Sequence, residues 1–142
     1  MKIFISYSSG NEEHTIWVGK LADDLEIYPD FHIILDQYDL DNLIDKNRFM
    51  ESSVDESDFI IVIATKEYKR KADSRLGGVG IETQLNIQRH YEETAKYGTS
   101  NIIVVLREKE MTPIYLKSKI FIDFTDDYKY EQSLELFPTI SQ

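Results

Sequence analysis

Hydrophobic positions in this chain fall into short dense runs separated by longer polar or amphipathic stretches. Lys2 to Ser6 (KIFIS), His32 to Leu35 (HIIL), Asp58 to Thr65 (DFIIVIAT) and Asn101 to Leu106 (NIIVVL) read as strands. The third run is apolar without alternation, the pattern of a strand covered on both faces. Lys119 to Phe124 (KIFIDF) alternates and is shorter, as at a sheet edge. Between the runs the spacing becomes helical. Val18, Leu21, Ala22 and Leu25 fall at i, i+3, i+4 and i+7 of a helix over 11–25, which Ser9 or Asn11 can cap. Phe49, Met50 and Val54 share a face of a modest helix over 46–56. A longer helix runs from Val79 to about Lys96, with Gly98 placed to close it. Tyr130 to Phe137 reads as a last short helix or turn before Pro138.

Strands alternating with helices predict a mostly parallel sheet covered on both sides. Five strands in 142 residues favour a flavodoxin-like, doubly wound α/β sheet of order 2-1-3-4-5. The chain reads as one domain over 1–142, either complete or the N-terminal part of a longer protein. In such a sheet the ligand crevice lies at the C-terminal ends of strands 1 and 3, where the winding reverses. That rule gathers Ser6-Tyr7-Ser8, the polar loop 36–45 and the stretch 65–82 on one rim.

Composition narrows the classes further. Net charge is −10, which disfavours nucleic acid or an anionic membrane as a partner. Cysteine is absent, so disulfides, thiolate metal sites and a cysteine nucleophile are excluded. No apolar run approaches the roughly 20 residues that span a bilayer, and the N-terminus lacks a signal-peptide pattern. A cytoplasmic protein is the simplest expectation. His14, His32 and His90 have no ligand spacing, and Asp36, Asp39, Asp41 and Asp45 lack the EF-hand pattern, so no metal is expected. No His and Asp arrangement can be placed beside Ser6, Ser8 and Ser9 for a serine hydrolase. Trp17 reads as a core residue.

The stretch 65–82 (TKEYKRKADSRLGGVGIE) stands out as a basic, glycine-ended connection after the central strand. Glu82 falls in the first turn of the following helix. It is either a carboxylate complementing the helix dipole or one held beside the crevice for chemistry. Gly77-Gly78-Val79-Gly80 is either a flexible approach or close backbone access for a ligand. Lys66, Lys69, Arg70, Lys71 and Arg75 read as a solvated loop or as a surface for a phosphate or for another copy.

Several of these segments together resemble a bacterial SEFIR domain, a relative of Toll/interleukin-1 receptor (TIR) domains. They are FISYS (Phe4 to Ser8), His14 with Trp17-Val18 and Leu21-Ala22, LDQYDL (Leu35 to Leu40), FMESSV with SDFIIVIAT, and EYKRKADSRLGGVGIE. The resemblance runs from about Lys2 to Leu106. It implies the same flavodoxin-like fold and cytosolic signalling by homotypic association. It also implies NAD+ cleavage at the nicotinamide–ribose bond, a reaction of some members, often in defence against phage. Glu82 then matches the catalytic glutamate. Ser6, Tyr7, Ser8, Tyr38, Gly78 and Gly80 would contact NAD+ as substrate, with no bound cofactor. Asp39, Leu40, Asn42 and Leu43 would form one assembly surface, meeting Lys69 and Arg70 of a neighbouring copy in an oligomer or filament. Asn42-Leu43 stands where the family has proline-glycine. Gly78 stands where many NAD-cleaving TIR domains have tryptophan, so stacking on the ligand would fall to Tyr7 or Tyr38. A non-enzymatic adaptor is the alternative. A response-regulator receiver is disfavoured, since FISYSSGN offers no acidic cluster after the first strand.

Overall fold

The apolar run in the middle of the chain becomes β3 (Phe59–Ala64), the central strand of the sheet. The computed structural model describes residues 1–8, 11–35, 52–74, 81–98, 100–117, 119 and 121–140. Here β3 lies between β1 (Lys2–Ser6) and β4 (Ile102–Leu106), with β2 (His32–Ile34) outside β1 and β5 (Phe121–Asp123) outside β4. Every pairing is parallel. The order β2-β1-β3-β4-β5 and the edge position of β5 agree with the sequence pattern.

Parallel strands require crossovers, and the crossovers cover both faces. Odd-numbered residues of β1, β3 and β4 (Ile3, Ile5, Ile61, Ile63, Ile103, Val105) pack with α1 (Glu12–Leu25) through Val18, Leu21 and Leu25. The C-terminal segment closes this face with Leu134 and Phe137. Even-numbered residues (Phe4, Ile60, Val62, Ala64, Ile102, Val104) pack against Val54, Tyr68, Ile87 and Leu116. Val54 belongs to a helical stretch over 52–56, which we call α2. Tyr68 belongs to α3 (Lys66–Ser74), and Ile87 to α4 (Ile81–Ala95). Asn11 caps α1 by accepting from the His14 N–H at 3.1 Å, which settles the choice between Ser9 and Asn11 for that bond. Gly98 takes φ +67°, the left-handed conformation expected after a helix.

The first half of the basic connection is not a loop. Residues Lys66–Ser74 form α3. Thr65 Oγ1 accepts from the Tyr68 N–H at 3.2 Å, and Glu108 Oε1 accepts from the Lys66 N–H at 3.3 Å. Two orphan donors of the first turn are thus satisfied. Glu67–Arg70 and Lys69–Asp73 pair within the helix, and Tyr68 and Ala72, four apart, are buried. Long unbranched Lys, Glu and Arg side chains favour helix, and two inward residues suffice to dock it.

Two smaller differences concern the C-terminus. The last helix divides into α5 (Tyr130–Leu134) and α6 (Phe137–Ile140). Pro138 therefore lies within the first turn of α6 rather than after the helix, where its missing N–H has no intrahelical partner to lose. Lys119 lies outside β5, which spans three residues.

Ile61 is completely buried in β3. Ile61→Ala should cost about 2–5 kcal/mol in urea unfolding with the m-value unchanged.

Candidate functional site

In a parallel sheet all strands end on the same side, so their C-terminal residues share one rim. At the β1/β3 switch point that rim is polar but buried. Ser6, the last residue of β1, shares a hydrogen bond of 2.9 Å with the Tyr68 hydroxyl of α3, and both are almost fully buried. Burial, partly offset by the bond to Ser6, raises the Tyr68 pKa well above the ordinary phenol value, so the hydroxyl stays protonated. One turn further along α3, Lys71 Nζ donates to the buried Ser8 hydroxyl at 3.4 Å. Two polar links therefore tie α3 to the end of β1. Helix α4, with Glu82 as its second residue, lies in the crossover from β3 to β4.

Beside the switch point a cleft of about 710 Å³ opens towards the ends of β4 and β5. Ser8 and Thr65, which follow β1 and β3, form its inner edge. Its wall comes from α1 through Asn11, His14 and Trp17, and from Arg107 and Thr125, which follow β4 and β5. Arg107 lies over the Trp17 ring, 4.5 Å from the centroid. It donates from Nη1 to the Phe124 carbonyl and to Asp127, both at 2.8 Å. Trp17 also meets Phe124 and Tyr130 edge-on. It thus packs on the core, as its sequence reading expects, while lining the cleft. The acidic residues on this side are largely engaged. Asp127 holds Arg107, Glu67 holds Arg70, and Glu108 caps α3.

His14 lies parallel to Trp17 at 6.3 Å and edge-on to Tyr7. Its buried Nε2 has no hydrogen-bond partner among the described residues. Burial, then the Arg107 charge, lower its pKa below the ordinary 6.5, against the opposing pull of Glu108.

The sequence-derived residues divide into three groups. Ser6 and Ser8 come together at the switch point. Tyr7 faces the opposite side of the sheet and is buried with the α1 core. Tyr38, Asp39, Leu40, Asn42, Leu43, Gly78 and Gly80 lie outside the described residues. Lys69 and Arg70 are carried by α3 and paired there with Asp73 and Glu67. Sequence reasoning did not single out Tyr68, Lys71, His14 or Arg107 as a group. Arg107 directly follows a strand, so the same topological rule would have placed it on the rim. The contacts of Tyr68 and Lys71 join residues more than 60 apart and leave no local signal.

Two outcomes follow from this geometry. Tyr68→Phe should cost about 1–2 kcal/mol, because it leaves the Ser6 hydroxyl buried without this partner. In the double variant with Ser6→Ala, urea unfolding should show a total loss smaller than the sum of the single losses. For His14 the folded pKa is depressed, so the unfolded chain binds more protons just below pH 6.5. Stability from this group is therefore present above 6.5 and lost as pH falls through that window. Urea midpoints at pH 7.5 and 5 should fall further apart in the wild type than in His14→Gln.

The sequence profile of the SEFIR domain matches residues 1–135. The fold superposes on the crystal structure of a prokaryotic SEFIR domain with a TM-score of 0.80 and 29% identity, covering 98% of this chain and 96% of that one. It also resembles the TIR domains of the activated Roq1 resistosome, which directly recognises the pathogen effector XopQ. There the TM-score is 0.51 and the identity 17%, over 99% of this chain and 82% of that one; at that identity the likeness is one of fold. No curated protein matches. With its five-stranded parallel sheet, its order and a profile match over nearly its whole length, the chain belongs to the SEFIR domain family.

Proposed function

We propose that this signalling domain cleaves NAD+ at the nicotinamide–ribose bond when copies of it associate, with Glu82 as the catalytic carboxylate. The observation that carries the reading is positional. Glu82 is the second residue of α4, which packs through Ile87 on the sheet face that also carries the Ser6–Tyr68 pair. On this reading its carboxylate lies at the same end of that face as the hydroxyls of Ser6 and Ser8.

The chemistry needs little more. The C1′–N1 bond breaks and its electron pair leaves with nicotinamide, which becomes neutral. Positive charge develops across C1′ and the ring oxygen of the ribose. The Glu82 carboxylate stabilises that charge and accepts hydrogen bonds from the ribose 2′ and 3′ hydroxyls. Water then adds at C1′ and loses a proton, giving ADP-ribose. The hydroxyls of Ser6 and Ser8 form the floor of the site; Tyr7, buried on the opposite face of the sheet, is not part of it. The loop 36–45 of a neighbouring copy, through Asp39, Leu40, Asn42 and Leu43, completes it. On that reading a dilute monomer turns over slowly, and exclusion of water at the closed site strengthens the carboxylate's effect.

The test is NAD+ consumption across protein concentration for wild type and Glu82→Gln. The rate per molecule should rise with concentration, and Glu82→Gln should lower it by roughly 10²- to 10³-fold. Equal rates in the two proteins would remove Glu82 from the chemistry. Turnover in neither, with self-association intact, would leave an adaptor that recruits further SEFIR domains.

A further inference from the structure

We propose that the cleft between α1 and the ends of β4 and β5 docks a basic segment of a partner protein, with an arginine side chain entering the cleft, whether or not NAD+ is cleaved. The cleft measures about 710 Å³, the size of sites that enclose a ligand. Four of its lining residues are carboxylates, Glu13, Glu67, Glu108 and Asp127, against one arginine, Arg107. Arg107 is already committed. Asp127 and the Phe124 carbonyl hold its guanidinium, which lies over the Trp17 ring. Glu67 pairs with Arg70, and Glu108 accepts from the Lys66 N–H. A carboxylate has about four acceptor positions, so each retains room for a further donor. Glu13 makes no ion pair among the described residues.

Beside the acidic lining stand exposed apolar groups. Ile16 of α1 is 66% exposed, and Tyr128, which follows Asp127, is wholly exposed. Ile16 precedes Trp17 and stands about one helix turn after Glu13. Helix α1 and the segment 127–130 form one surface. Trp17 meets Tyr130 edge-on, Lys20 Nζ lies 3.8 Å from the centre of the same ring, and Asp24 accepts from its hydroxyl at 2.6 Å. Exposed Glu12 and Asp23 on α1, and Asp126 and Glu131 across from them, extend the negative charge. The complementary occupant carries cations for the cleft and apolar side chains for Ile16 and Tyr128. Arginine suits it better than lysine, because its planar fork has five donors and is more weakly hydrated. A second copy fits less well. It brings the same net charge of −10, and Lys69 and Arg70 of its α3 are paired within the helix.

Trp17 is the single tryptophan of the chain and lines the cleft, so its emission reports occupancy there rather than on acidic surface elsewhere. The probe is a short peptide of alternating arginine and leucine, titrated into the whole chain at about 150 mM salt to screen diffuse attraction. Trp17 emission should change saturably, and a peptide with glutamate in place of arginine should leave it unchanged. Glu13 and Tyr128 are exposed, so substituting them spares the fold. Glu13→Gln combined with Tyr128→Ser should raise the Kd of the arginine peptide about 10-fold. Glu93→Gln on α4 removes the same charge from another surface and should change it less than about twofold. Absence of binding, binding that leaves Trp17 emission unmoved, or equal weakening by Glu93→Gln overturns the proposal. Spermine bound as tightly as the peptide overturns it in favour of a small-cation site. Sedimentation of the protein without peptide supplies the last arm: self-association weakened by the Glu13 and Tyr128 substitutions gives this face to a second copy and overturns the proposal as well.

Discussion

β3 is buried on both faces, and the rest of the structure is a response to that. Five consecutive residues, 60–64, leave no side of the strand for water. A strand of this kind is stable only in the middle of a sheet covered twice, by α1 and the C-terminal helices on one side and by α2, α3 and α4 on the other. Parallel pairing to β1 and β4 then forces every connection to recross the sheet. The segments that leave the strands are delivered together to one rim. Backbone groups freed there must find partners, and they do so through Thr65, Glu108 and Arg107. The polar rim is thus a product of the apolar centre.

The opposite end of the sheet is tied by a different device. Asn101 donates from its amide to the carbonyls of Ser57 and Asp58 and takes part in a bond with His90 of α4. One side chain thereby links the approach to β3, the approach to β4 and the helix between them. The Lys2 N–H donates to Asp58 as well. These ties fix the strand starts, so the lengths of β1 and β3 determine where their C-terminal residues emerge. Ser6 and Val62 are register partners, which brings Ser8 and Thr65 to adjacent positions along the cleft edge.

Most of the architecture was legible in the sequence because strand burial leaves a strong local signal. Runs such as IIVIA and IIVVL admit few other readings, and the strand–helix alternation limits their order. Helix α3 was not legible in the same way. Its mean character is so polar that it read as a solvated loop; only Tyr68 and Ala72 betray an inner face. The candidate site was half legible. Ser6 and Ser8 follow from the switch-point rule. The partners that give the serines a role, Tyr68 and Lys71, depend on contacts across the chain that no spacing encodes. His14 and Trp17 look like ordinary positions of an amphipathic helix, and only the return of Arg107 from β4 makes them part of a cleft.

The two edge strands, β2 and β5, hold three residues each. An incoming strand laid along either would find at most a few backbone groups to pair with, and β5 presents a half-exposed Phe121 and a solvent-facing Asp123. Sheet extension is therefore a weak mode of contact for this domain. Copies that gather would do so through helical faces and rim loops, so that each new copy meets the last one at the end where ligand chemistry is proposed. Recruitment and catalysis would then compete for, or share, the same ground.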